Sequence, residues 1–496
     1  MGITLKRPAR ARSTLGLALT LATAGSLALA GCGTSSGSNA SATSAAGGSA
    51  AAPASATSAA ASSTAAPASA KGSASPTSSA APASTQVLGG GSGKYAGQTL
   101  TLWDYETADS ALGKARALAI KDFLASHPGA KVKYELKSFE QINSSASLIL
   151  NSNSAPDVME YNKGNATSGL LSKQGLLTDL GSQVSKFGWD KLLSPSLQVT
   201  AKYDPTGSMG SGKWYGIPTY GEFVFVYYNK DLFAKNNISV PTTLADFESD
   251  LAKLKAAGLT PIANGGAEYP TQQIFYELSL SKADRQFVND FQLYQHKVNF
   301  QGPQFTFGAT TLQDWVNKGY IAKNTVNLKA QDMGNAFEAQ KNPIMISGTW
   351  WYGTLASEIK NFKWGTFLFP GNTYNAGSSG NLWVVPSKAK NKDLAYDFIN
   401  ITLGKDVQTL MGNSGGIPVN ADLSQITDPG NKQLIADFNT LNTKNGLSYY
   451  PDWPAPGYYD VMRASIQDLM NGKSPSSVLS ELAKPYDDNL ANIGKG

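Results

Sequence analysis

Residues Trp214 to Phe233 read WYGIPTYGEFVFVYYNKDLF, and the fold of the whole chain turns on this stretch. Every residue from Phe223 to Tyr228 is Val, Phe or Tyr. That is the composition of a strand covered on both faces, as at the centre of an α/β sheet. Glu222 stands directly before the run. A charge is costly to bury without a partner, so its place is the edge of the strand. Two readings fit it there: an ordinary rim carboxylate, or a group that faces a cleft.

Upstream, Thr99 to Tyr105 reads as a short strand, and helix-like spacing of Leu112, Ala119, Ile120, Phe123 and Leu124 follows until His127-Pro128-Gly129. Val132, Tyr134 and Leu136 alternate as a second strand, Phe139 to Leu150 reads as a helix, and Ala155 to Tyr161 as a third strand. Strand, helix, strand, helix, strand is the signature of a parallel sheet with right-handed crossovers. Ligands of such sheets bind outside the carboxyl ends of the strands, where Asp104, Tyr105, Tyr161 and Asn162 fall. Downstream, Thr243 and Asp246 form a capping pattern for a helix ending at Gly258, and Leu259 to Ala263 starts another strand. Asn342 to Tyr352 reads as a buried strand that delivers Trp350 and Trp351, and Asn381 to Pro386 as another that delivers Trp383. Ala395 to Leu403 and Ile466 to Leu482 read as helices, with the aromatic loop Tyr449 to Tyr459 between them.

The ends of the chain read differently. Lys6, Arg7, Arg10 and Arg12 precede an apolar stretch, Leu15 to Ala30, too short for a comfortable membrane span. It closes on Leu29-Ala30-Gly31-Cys32, which resembles a bacterial lipobox, so 1–31 is expected to be a signal peptide and Cys32 the lipidated first residue. Residues 32–94 are almost wholly Ala, Ser, Gly, Thr and Pro, a composition that predicts a disordered tether. Gly33 to Gly37 fits G-x-S-x-G without the strand and helix of a nucleophile elbow. Cys32 is the one cysteine, so no disulfide is expected and the fold must stand on its core.

All 36 acidic residues and 35 of the 41 Lys and Arg lie in 95–496. The folded part is near neutral, which argues against nucleic acid, whose binders need a clustered basic surface. Two histidines, His127 and His296, both expected at the surface, offer neither a zinc site nor a His-based triad. No cofactor and no metal are expected. Asp104 with Glu106 is the type of carboxylate pair a glycosidase uses. The richer resource is aromatic: Trp103, Tyr105, Tyr161, Tyr220, Trp350, Trp351, Trp383 and Trp453 sit at strand ends or in loops, several beside Asp, Glu or Asn. That pattern suits a pocket for a ligand with apolar faces and polar edges, and sugars are such ligands.

In order and spacing, Pro156-Asp157-Val158, Tyr215-Gly-Ile-Pro218, Tyr228-Asn-Lys-Asp-Leu-Phe233, Pro241-Thr-Thr-Leu244, Trp383-Val-Val-Pro-Ser-Lys388 and Gly416-Ile-Pro418 resemble the extracellular solute-binding proteins, family 1, of ABC importers. This group includes maltose-binding protein. The resemblance runs from about Leu100 to the C-terminus. It implies an α/β, two-lobe, type II periplasmic-binding-protein-like fold, each lobe a mainly parallel sheet flanked by helices, joined by a hinge. The first lobe would take 95–220 and 369–421, the second 221–368 and 422–496. It implies no enzyme but a lipid-anchored monomer on the outer face of the cell membrane, with a carbohydrate ligand and ABC permease subunits as partners. Alternatives are a surface glycosidase and a binding scaffold for sensing or adhesion. Glu222, Trp350, Tyr161 and Trp453 match binding positions of the relative, with Gly164 where the relative is acidic. Asp104, Glu222 and Asn162 are expected to hold hydroxyls, Trp350, Trp351, Trp383 and Trp453 to stack, and Tyr105, Tyr220 and Asn381 to complete the site. Glu222→Ala or Trp350→Ala is expected to cost about 2 kcal/mol or more of binding with little loss of fold.

Overall fold

The computed structural model describes residues 84–495. The signal-peptide and Cys32 readings, and the tether up to residue 83, lie outside the described residues. The first sheet begins as the sequence pattern predicts. Strands β2 (Thr99–Asp104), β3 (Lys131–Leu136) and β4 (Val158–Tyr161) are parallel in the order β3-β2-β4, with helices Ala111–Ser126 and Phe139–Leu150 as crossovers. Both helices are capped by sequence: Ser110 accepts from the Gly113 N–H, and Ser138 with Gln141 makes a complete capping box.

The expected tether boundary at 94 is too late. Strand β1 (Ser84–Gly89) already lies antiparallel along β3, with Leu88 opposite Val132 and packed on the core. Val87 and Leu88 are large apolar residues in a stretch otherwise without them, and the ladder to β3 supplies their backbone partners. The surface placement of His127 is also overturned. Its ring stacks on Phe123 at 4.2 Å, with Nδ1 3.0 Å from the Phe123 carbonyl and Nε2 3.2 Å from Asp397. The helix stop packs against helix Lys392–Thr402, which carries Asp397, so the residue that ends the helix is buried with it.

The two lobes of the α/β fold meet along β8 (Tyr220–Asn229), buried throughout except at Tyr228. Its first half pairs with β12 (Gly377–Ser379) and β14 (Ile417–Pro418); its second half pairs with β10 (Ile344–Gly348) and β11 (Trp364–Phe367). Just before it, β7 (Ile217–Pro218) belongs to the first sheet, where β13 (Leu382–Val384) lies between β4 and β7. β9 (Ile262–Ala263) is parallel to β10, and β5 (Lys202–Tyr203) with β6 (Lys213–Trp214) forms a separate ladder.

The sheets are therefore mixed rather than mainly parallel. Parallel neighbours need a long crossover, which only β2-β3-β4 and β9-β10 have; every segment returning between the sheets pairs antiparallel. Two further expectations shift. Helix Pro429–Thr443 packs on β8, β14 and helix Lys405–Asn413, so residues past 422 do not pass at once to the second lobe. A side chain on Gly221 would meet the Phe438 ring at 2.3 Å, which makes that approach possible only with glycine. The helix expected over 466–482 is two, Tyr458–Met470 and Pro475–Asn492, broken at Gly472 with φ +107°.

Candidate functional site

The floor of the site is made where β8 passes β4 and β13. Glu222 is 5 % exposed, and the charge finds its partner in Lys163, two residues past the end of β4. The turn that delivers Lys163 is fixed locally. Gly164 adopts φ +105°, and a Cβ there would strike the Trp453 ring at 2.6 Å. Tyr203 accepts from the Gly164 N–H at 2.9 Å, and Ser168 donates to the Asn162 carbonyl at 2.6 Å. So held, Lys163 donates to Glu222 Oε1 and, at 2.9 Å, to Asn381 Oδ1, while its Nζ stands 5.4 Å from the ring centres of both Tyr450 and Trp453. These bonds use one carboxylate oxygen and two of the three ammonium hydrogens. The other oxygen and the third hydrogen make no hydrogen bond among the described residues.

A second layer of carboxyls lies behind. Asp104 accepts from Arg116 at 2.7 Å and from Tyr134 at 2.8 Å. Glu160 accepts from the Tyr220 hydroxyl at 3.2 Å and from the Asn381 amide at 3.4 Å. Burial pushes Asp104 up against the pull of Arg116. Burial, then the neighbouring Glu106 and Asp104 carboxylates, push Glu160 well above the usual range. Glu106, half-buried at the cavity wall, is pushed up to about 8, first by burial and then by Asp104. The void these groups share is about 20 Å³, room for about one water.

Above the floor opens a cavity of about 460 Å³, within the size range of small-molecule sites. Nine of the 22 residues around it are aromatic, the proportion that suits a ligand with apolar faces. Trp350 and Trp351 reach it from a tight turn after β10. Gly348 and Gly334 leave them room, since a Cβ on either would lie within 2.5 Å of an indole atom. Trp350 donates to the Tyr269 hydroxyl at 3.2 Å, with the rings edge to face at 5.6 Å. Tyr450 lies 6.2 Å from Trp350 and 5.3 Å from Trp453, ring centre to ring centre. The Tyr105 and Tyr450 hydroxyls make no hydrogen bond among the described residues.

The structure thus brings together eight of the expected residues: Tyr105, Asn162, Tyr220, Glu222, Trp350, Trp351, Asn381 and Trp453. It leaves out three. Asp104 ends β2 beneath Arg116 and lines only the small void. Trp383 also lines that void, with its ring edge to face against Phe398 at 5.6 Å. Tyr161 lies in the hydrophobic core. Alternation explains the last case: Tyr161 and Asn162 are adjacent at the end of β4, so only one of the two reaches the cavity. Lys163, Tyr269, Tyr450, Asp452 and Tyr459 line the cavity without having been foreseen, and Glu106, singled out only as half of a carboxylate pair with Asp104, lines it too. For Tyr450, Asp452 and Tyr459 the signal was the Tyr449–Tyr459 loop itself, of which only Trp453 was taken; Lys163, next to Asn162, gave none beyond adjacency.

A family model described as bacterial extracellular solute-binding protein matches residues 108–409. The diacetylchitobiose binding protein DasA of Streptomyces coelicolor is 25% identical over 411 residues, covering 81% of this chain and 92% of that one. A multiple sugar-binding protein of Streptococcus mutans is 26% identical over 38% of this chain and 46% of its own length. Among solved structures, an ABC transporter solute binding protein from Thermotoga lettingae bound with α-D-tagatose superposes with a TM-score of 0.67 at 18% identity, over 79% of this chain and 100% of that one. A chitin oligosaccharide binding protein superposes with a TM-score of 0.65 at 21% identity, over 79% and 99%. At such identities the two structures speak for the fold alone.

Proposed function

The chain belongs to the bacterial extracellular solute-binding proteins, and on that premise we propose that it captures a mono- or oligosaccharide in the cavity above Glu222. In this reading it is tethered to the outer face of the membrane by lipid on Cys32 and hands the sugar to the permease of an ABC importer. The observation that carries the reading is the Glu222–Lys163–Asn381 cluster at the floor of an aromatic-walled cavity. Glu222 has an oxygen left to accept from a hydroxyl, and Lys163 a hydrogen left to donate to one. The faces of Trp350, Tyr450 and Trp453 suit the C–H faces of a sugar ring, and the names of DasA and the S. mutans relative include a sugar as ligand. Walls from both lobes close on the same space, so a bound sugar gains contacts as the lobes approach and shifts the population towards the closed form.

A thermal-shift screen of neutral and amino-substituted carbohydrates on the full chain tests this. A sugar at about 100 times its Kd stabilises the native state by about 2.7 kcal/mol, so Tm rises in a dose-dependent way. A complete panel without any shift would sink the saccharide reading. Membrane attachment is tested separately: Cys32→Ser is expected to release the protein from membranes and to abolish labelling with a palmitate analogue.

A further inference from the structure

The described fold is close to neutral, yet its cavity is not. Its walls present the carboxyls Glu106, Asp109, Glu222, Glu358 and Asp452 and one cation, Lys163. Among the described residues Lys163 makes its ion pair with Glu222 alone, and the other carboxyls of the wall have no ion pair. They come from both lobes: Glu106 and Asp109 follow β2, Glu358 ends helix Tyr352–Glu358, and Asp452 lies in the aromatic loop. Beside Glu358, burial and the Glu358 and Asp109 carboxylates push Glu338 up to about 7. Within, Asp452 is pushed up to about 6, chiefly by burial.

A second observation concerns hydrogen bonding. Gln273, 4 % exposed and part of the cavity wall, has a carbonyl oxygen without a partner among the described residues. With the carboxylates, this makes a wall rich in acceptors. A third concerns the aromatic faces. An ammonium is already accommodated between Tyr450 and Trp453, that of Lys163, so this lining suits a cation.

Resting on the saccharide reading, we propose that the preferred ligand is a sugar bearing a protonated amine. An ammonium brings three donors and a positive charge to a wall that offers acceptors and negative charge. A neutral sugar closed into the same space has no charge to draw protons off these carboxyls, so it gains no ion pair from them.

Calorimetry on the full chain with matched ligands tests this: glucosamine oligomers of increasing length, their N-acetylated counterparts, and glucose oligomers with the same linkage. The pH is set near 6, below the ~8 typical of an α-amino group. The amine form is expected to bind about tenfold more tightly or better, a margin in keeping with a desolvated charged contact, with proton release and an advantage that shrinks in salt. The double variant Glu106→Gln/Asp452→Asn is expected to bring the ratio of amine to neutral affinity close to one. Neutral or acetylated sugars binding as tightly as the amine overturn the inference and leave the saccharide reading standing. A ratio unmoved in the double variant overturns the assignment to these carboxyls. Binding of none of the sugars, with or without an amine, overturns both readings.

Discussion

Glu222 and Glu277 are both buried glutamates beside the segments that cross between the lobes, and their surroundings answer the charge in opposite ways. Glu222 meets an ammonium and an aromatic-walled cavity. Glu277, in helix Pro270–Leu280 and fully buried, meets only amides: the Ala376 N–H at 2.8 Å, Asn372 at 2.9 Å and Asn375 at 3.4 Å, in the segment leading to β12. No cation among the described residues offsets its burial, and its carboxyl is pushed up to about 8. The difference separates two uses of a buried acid. One is a charge held ready for a ligand by a partner; the other is a proton-holding strut between a second-lobe helix and a crossing segment.

The largest expected effect breaks the first of the two. Glu222→Ala leaves the Lys163 ammonium buried without its counter-charge, and breaking a buried pair from one side costs about 3–5 kcal/mol of stability. The sequence alone suggested a loss of binding with the fold intact; the pairing with Lys163 changes that. Glu222→Ala/Lys163→Met is expected to regain most of the stability in chemical denaturation while binding stays lost. Full stability in the single variant would show that the pair is not closed to water. Trp350→Ala comes next. Trp350 is partly exposed and lies on the cavity wall, so the expected loss is about 2 kcal/mol of sugar affinity by calorimetry with a small change in Tm. An equal loss of Tm and affinity would mean that the ring props up the lobe instead of meeting the ligand.

The contrast also marks how much the sequence could tell. The Phe223–Tyr228 run gave β8 and its central position because a strand buried on both faces has a composition of its own. The first βαβαβ unit was legible because hydrophobic periodicity and the His127-Pro128-Gly129 stop are local. The strand expected over 381–386 was legible as well and is β13, but the rest of the hinge was not: β12 and β14 are three and two residues, too short for a period, and they are strands only because β8 supplies partners. The same limit applies to the site. Trp350, Trp453 and Glu222 stood out by residue type. Lys163 is one lysine among many until the turn at Gly164 aims it at Glu222. Asp104 and Trp383 had the right types at the right strand ends, but helix Ala111–Ser126 brings Arg116 to the first, and Phe398 covers the second.

The smallest effect sharpens the other half of the comparison. A carboxyl near 4.5 when unfolded and about 8 when folded holds its proton more tightly in the native state. Between those values the folded protein binds more protons than the unfolded chain, so stability falls as pH rises. The contribution is complete below about 4.5 and is lost as pH climbs through about 8. Glu277→Gln removes the titration and keeps an amide in the carboxyl's place. The side-chain oxygens of Asn372 and Asn375 have no partner among the described residues, and the new N–H₂ group can donate to one of them. The variant is therefore expected to match the parent near pH 5 and to exceed it by about 1 kcal/mol at pH 9, a fraction of the 1.36 kcal/mol per pH unit that linkage allows. Thermal denaturation across that range reads the difference. Parallel pH profiles for the two proteins would mean that Glu277 keeps its charge in the fold, and that the amides of the crossing segment suffice to hold it.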